Sequence, residues 1–321
     1  MTPTSLFLIT VAIWGTTWIA IKFQIAAVAP ELGVALRFSI AAVVVLALCL
    51  ARGIRLAVPA RTHALLAVTG VLGFCVSYLF VYHAERFIVS GLVAVGYAAA
   101  PLVNLLLARL LLRTPFSRPV ALGGVLGLAG IALIFWPEFS RLQAGGPLLA
   151  GAVLTAGAVL ASCLANIGMA RAQGAGVKGW APLGIAMAWG AAAAWLPALL
   201  FGRPFTVAAS WPFALSLAYL ALAGSVLAFA AYYSLLGKVG PARAAYVGVM
   251  STIVALMVSA LFEGYDWRLA TFVGIALAVG GNVLALHAGR DGTPSPPTAR
   301  SGEAIDPPAA GGAGLARGSQ A

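Results

Sequence analysis

The chain has 321 residues, 62% of them hydrophobic and only 8% charged, with a formal net charge of +11. A soluble domain carries roughly 25% charged residues, and so apolar a chain lacks the polar material to face water at this size. Lipid is therefore its main solvent. The basic residues stand singly or in pairs at the ends of apolar stretches, which orients a membrane protein and argues against nucleic-acid binding.

A membrane-spanning helix needs roughly 20 apolar residues. Ten such stretches follow one another, at about 6–27, 32–51, 65–83, 90–112, 119–135, 148–170, 180–200, 211–236, 242–262 and 269–288. The first has no basic leader and is too long for a signal-peptide core, so it is read as an uncleaved helix. The connections are short, the fourth being little more than 113–118, which makes consecutive helices antiparallel neighbours. A barrel would need short alternating strands; continuous helix-length runs point to an all-α integral membrane protein.

With the N-terminus inside, the inner connections carry Arg52, Arg55, Arg61, Arg113, Arg118, Arg171, Lys178, Lys238 and Arg243, followed by Arg290. The outer connections hold Lys22, Arg86, Arg141, Arg203 and Arg268 together with Glu31, Glu85, Glu138, Glu263 and Asp266. The excess of basic residues inside places both termini in the cytoplasm. The segment 289–321 is rich in Gly, Pro, Ser and Ala and is expected to be a disordered cytoplasmic tail.

Slid against itself by 150 residues, the chain matches Tyr82 with Tyr232, Ala94 with Ala244, Leu111 with Leu261, Arg118 with Arg268, Gly124 with Gly274 and Gly130 with Gly280. The unit is five helices, an odd number, so the second copy enters the membrane from the opposite side. The expected organisation is a first five-helix repeat over 1–140 and an inverted second over 141–288. Secondary carriers use such repeats, with the substrate site near the midplane between halves.

The first helix carries WGTTWIAIKF (Trp14 to Phe23), and the second Arg37-Phe38 after Pro30-Glu31. The third-to-fourth junction reads YHAERFIVSGLVAVGYAAAP (Tyr82 to Pro101), the ninth-to-tenth LFEGYDWR (Leu261 to Arg268). In this order they resemble the EamA-type family of the drug/metabolite transporter superfamily. The resemblance covers about 6–288 and implies a 5+5 inverted repeat, cytoplasmic termini and export of amino acids or related metabolites. The chain departs from the family at the inner end of the fourth helix, where Arg113-Thr114 replaces a common Gly-Glu pair.

Polar groups inside a membrane are costly and mark candidate sites. Arg37, in the outer part of the second helix, either holds an anionic substrate group or snorkels to the headgroups. Tyr78 and Tyr82 share a helix face, and Tyr82 and Tyr232 are repeat mates. Their rings suit an amphipathic substrate, or else form an interfacial belt. Trp14, Thr16 and Thr17 lie mid-helix, where a belt does not explain the tryptophan. Thr17 either faces the cavity or bonds its own backbone. Tyr97 and Asn104 share a face, with Pro101 bending the helix between them; Asn166, Tyr246 and Ser251 are weaker candidates. The expected substrate-binding set is Trp14, Thr17, Arg37, Tyr78, Tyr82, Tyr97, Asn104 and Tyr232, with His83 as a proton carrier or an interfacial histidine.

Gly123, Gly127, Gly274 and Ala278 read as close-packing positions. Cys49, Cys75 and Cys163 lie in apolar stretches and suggest neither a disulfide framework nor a zinc site. No carboxylate falls mid-helix, and no Walker A pattern, metal-ligand spacing or nucleophile–base arrangement stands out, so no cofactor and no enzymatic activity are expected. The reading is a secondary carrier in the inner membrane, its partners the lipid bilayer and a small-molecule substrate. A lipid-modifying membrane enzyme and a passive channel are the alternatives. Oligomeric state is left open, a homodimer included.

Overall fold

The computed structural model describes residues 1–88, 90–141, 147–200, 210–262 and 268–287, and all regular structure among them is helical. The expected tail, 289–321 with Arg290, lies outside the described residues, as do Arg203, Glu263 and Asp266 and the side chains of Glu138, Arg141 and Asn282. The helices are α1 (Pro3–Ile25), α2 (Pro30–Ala51), α3 (Ala60–Ala84), α4 (Ser90–Tyr97), α5 (Ala100–Leu111), α6 (Arg118–Arg141), α7 (Pro147–Gly174), α8 (Trp180–Leu200), α9 (Trp211–Val239), α10 (Pro241–Ala244), α11 (Tyr246–Phe262) and α12 (Leu269–His287).

Local chemistry sets several of the ends. Thr2 caps α1 by accepting from the Ser5 amide at 3.2 Å, with Pro3 in the first turn, where its missing N–H costs nothing. Glu31 sits in the first turn of α2, where a carboxylate complements the helix dipole. Gly240, at φ 81°, ends α9 and leads into Pro241, a conformation that favours glycine.

Each of the ten predicted stretches is helical. Seven of the resulting helical units are long and apolar enough to cross a membrane, namely α1, α2, α3, α7, α8, α9 and Pro241–Val258. Ala100–Leu111, Arg118–Ile134 and Leu269–Ala285 are shorter apolar helices. The predicted 90–112 helix is broken before Pro101: Ala99 N bonds Gly96 O and Leu102 N bonds Ala99 O, each at 3.1 Å. A second feature had no signal in the sequence. Both α3 and α9 contain a π-turn, Val71–Val76 in one and Leu222–Leu227 in the other.

Glycines permit the closest helix contacts. A Cβ on Gly130 would collide with the Gly274 carbonyl, and one on Gly123 with the Gly281 carbonyl, so α6 and α12 lie backbone to backbone. A Cβ on Gly127 would make only ordinary contact with Val249 of α11. Gly184 of α8 meets Val45 and Leu46 of α2, and Gly190 of α8 meets Gly70 of α3. The helices pair α1 with α9 and α11, α7 with α3, α4 and α5, α2 and α3 with α8, and α6 with α12. Leu8, Val43, Leu110, Leu196 and Leu215 are exposed on the outside, the surface expected of a body solvated by hydrocarbon.

Candidate functional site

The helices α1, α3, α4, α7, α9 and α11 surround a central cavity whose empty space, mouth included, is about 860 Å³. Its wall is aromatic: Trp14 and Trp18 from α1, Tyr78 from α3, Tyr97 from α4, and Phe229, Tyr232 and Tyr233 from α9. Small and hydroxylic groups fill the gaps: Thr17, Gly73, Ser77, Ser162, Asn166, Gly248 and Ser251. None of the lining side chains is charged. Such a wall suits the apolar body of an amphipathic solute while hydroxyl and amide groups orient its polar end.

Hydrogen bonds hold the rings in place. Trp14 Nε1 donates to the Gly224 carbonyl in the π-turn of α9 at 3.1 Å, and its ring lies 5.0 Å from Phe229 and 4.9 Å from Tyr232. The Tyr97 hydroxyl is 3.0 Å from Ser77 Oγ, which donates to the Ala158 carbonyl at 3.0 Å. Thr17 Oγ1 donates to the Trp14 carbonyl at 2.8 Å, bonding its own helix although it lines the cavity. Thr16 does the same toward Ile13 and meets Tyr219.

The structure thus brings Trp14, Thr17, Tyr78, Tyr97 and Tyr232 to one cavity, with Asn166 and Ser251. Four other expected residues stand off its wall. Tyr82 is fully buried and donates to Gln24 Oε1 at 2.7 Å, because its side of α3 packs toward α1 and α2. Asn104 turns to Cys163 Sγ and the Ala100 carbonyl, at 3.1 and 2.9 Å. Arg37 neither snorkels nor reaches the wall. It is 1% exposed, donates from Nε to Ser225 Oγ at 2.9 Å, and lies over the Tyr78 ring at 4.6 Å. His83 pairs through Nε2 with Glu31 Oε1 at 3.0 Å at the junction of α2 and α3. Tyr246 of the weaker set instead donates to the Val120 carbonyl at 2.6 Å.

Sequence reasoning missed Trp18, Ser77, Phe229 and Tyr233. Trp18 follows Trp14 by one turn, and that spacing alone placed both on one face. Phe229 and Tyr233 share the same four-residue spacing, and Phe229 stands three before Tyr232, but which way that face turns depends on the π-turn just before them.

The EamA-like transporter family matches residues 2–136. The "Uncharacterized inner membrane transporter YedA" of Escherichia coli (strain K12) is 30% identical over 252 residues, 76% of this chain and 78% of its own. An "Uncharacterized transporter" of Archaeoglobus fulgidus is 28% identical over 138 residues, 42% of this chain and 48% of its own. "Protein PagO" of Salmonella typhimurium is 26% identical over 132 residues, 40% and 43% of the two chains. One solved crystal structure superposes with a TM-score of 0.73 at 21% identity, covering 91% of this chain and 99% of its own, which shows a shared fold.

Proposed function

The chain belongs to the EamA-like transporter family, and from that we propose that it moves amino acids or related small metabolites by alternating access, with export as the direction. It is a multi-pass transporter of the inner membrane. The observation that carries the proposal is the central cavity, whose aromatic wall is drawn from both ends of the sequence: Trp14, Tyr78 and Tyr97 from one half, Phe229, Tyr232 and Tyr233 from the other.

The internal repeat supports two halves that rock about this cavity. Exchanging each helix for its counterpart about 150 residues away leaves the main helix pairings unchanged. The contacts of α1 with α9 and α11 become those of α7 with α3 and with α4 and α5, while α2–α8 and α6–α12 map onto themselves. The two π-turns, opening at Val71 and Leu222, fall at matching places. Inverted five-helix halves with cytoplasmic termini fit both features. Trp14, Thr17, Tyr78, Tyr97 and Tyr232 hold the substrate in this reading. Arg37, whose Nη1 has no partner, takes its carboxylate once Tyr78 moves aside. Tyr82 and Asn104 support from behind, and His83 with Glu31 carries a proton where transport is proton-coupled.

The test is counterflow in proteoliposomes. Labelled amino acids are offered outside, with and without unlabelled amino acids trapped inside. Accumulation stimulated by internal substrate is the expected result. Uptake of no component by folded protein would refute amino acids as the substrate class.

A further inference from the structure

A second cavity lies toward the end of the molecule that carries Met1, between α1, α7, α8 and α9. Met1, Ile9, Gln173, Trp180 and Ser234 are on its wall. So are the exposed Lys178 and Lys238, with no acidic side chain among the lining residues. Tyr233 belongs to the walls of both this cavity and the central one. Its backbone carbonyl accepts from Gln173 Nε2 at 2.8 Å, which ties its turn of α9 to α7. Its ring is packed 5.6 Å from both Phe229 and Tyr232.

We infer that Tyr233 is the partition between the central cavity and a basic vestibule on the Met1 side, and that the vestibule draws in solutes bearing a carboxylate or a similar anionic group. This rests on the transport reading above and adds the route and its charge preference. One residue shared by two spaces would separate them while its ring stays packed, and join them when the ring turns away. Two lysines with no acidic side chain among the described lining residues raise the local concentration of anions at the mouth. The central wall holds no charged side chain while Tyr78 covers Arg37, so the first selection by charge falls to the vestibule.

Thiol labelling tests this without relying on transport. Ser234→Cys reports on the vestibule and Ser162→Cys on the central cavity; the native cysteines Cys49, Cys75 and Cys163 are buried and give a low background. Reagent is added to vesicles that present the Met1 face, with Tyr233→Ala and Tyr233→Phe alone as controls. With each rate scaled to that reagent's rate at a small free thiol in solution, an anionic methanethiosulfonate should modify Ser234→Cys about tenfold faster than a cationic one, and Lys178→Gln with Lys238→Gln should abolish the difference. Ser162→Cys should react slowly with intact Tyr233 or with Tyr233→Phe, and as fast as Ser234→Cys with Tyr233→Ala. Tyr233→Leu replaces Tyr233→Ala if the latter does not fold. An unchanged Ser162→Cys rate on removal of the ring overturns the partition. Equal rates of the two reagents at Ser234→Cys overturn the charge preference. Ring-dependent labelling in protein that fails amino-acid counterflow would leave the partition standing and remove only the substrate assignment.

Discussion

Arg37 and Ser225 are joined by a hydrogen bond from Nε to Oγ of 2.9 Å across 188 positions of sequence. Ser225 Oγ in turn donates to the Leu220 carbonyl five residues back, at 2.9 Å, inside the π-turn of α9. A buried guanidinium therefore anchors α2 to the irregular turn of a helix that lines the cavity. Trp14 holds the carbonyl of the preceding residue, Gly224.

Ser225→Ala should remove this anchor and destabilise the protein by about 1.5–3 kcal/mol, the range for a hydrogen bond to a charged partner. Thermal unfolding in detergent reads the loss. Arg37→Ala should unfold at lower temperature than wild type and lose transport of carboxylate-bearing substrates. Normal transport by that variant would rule out the anion-holding role.

Trp14 and Tyr82 should separate binding from support. Trp14→Ala strips a ring from the cavity wall and should raise the half-saturating substrate concentration about tenfold, the equivalent of about 1.4 kcal/mol of lost aromatic contact. Tyr82→Phe removes only the bond to Gln24. It should cost about 1 kcal/mol of stability and leave the concentration dependence of uptake unchanged.

Two glycines near the same end of the chain should behave oppositely. Gly274→Ala drives a Cβ into the Gly130 carbonyl and Ile134 and should abolish folded yield or lower the unfolding temperature sharply. Gly280→Ala meets nothing within 4 Å and should stabilise slightly, by about 0.5–1 kcal/mol, because alanine loses less backbone freedom in a helix. Yield by size exclusion and thermal unfolding compare the two.

His83→Gln keeps a hydrogen-bonding partner for Glu31 but removes the imidazole, the group that would accept and release the proton. If the pair carries a proton, uptake driven by an imposed pH gradient should disappear while counterflow persists. Unchanged gradient-driven uptake would leave His83 a structural neighbour of Glu31.

The helices were legible in the sequence because lipid demands long, unbroken apolar runs. The site was legible in part, because burial inside a bundle depends on helix rotation. Tyr78 and Tyr82 are one turn apart on α3, yet Tyr78 lines the cavity and Tyr82 packs toward Gln24. Glu31 reads as a connecting residue, but it is 4% exposed within α2 and faces His83. The π-turns left no trace, since VLGFCV and LAGSVL are as helix-compatible as their neighbours.

Those turns also bear on which mutations each half tolerates. A π-turn holds one residue more than the regular helix would at that point, and one helical residue is worth about 100° of rotation. The wide turn absorbs that residue, so deleting a single codon within Leu222–Leu227 would relax α9 to regular winding while leaving Phe229, Tyr232 and Tyr233 on their present face relative to Trp211–Ala221. The matching deletion within Val71–Val76 would spare the facing of Ser77 and Tyr78 in the same way. An in-frame single-residue deletion in the regular part of either helix has no such outlet and would exchange the cavity's wall for its backing.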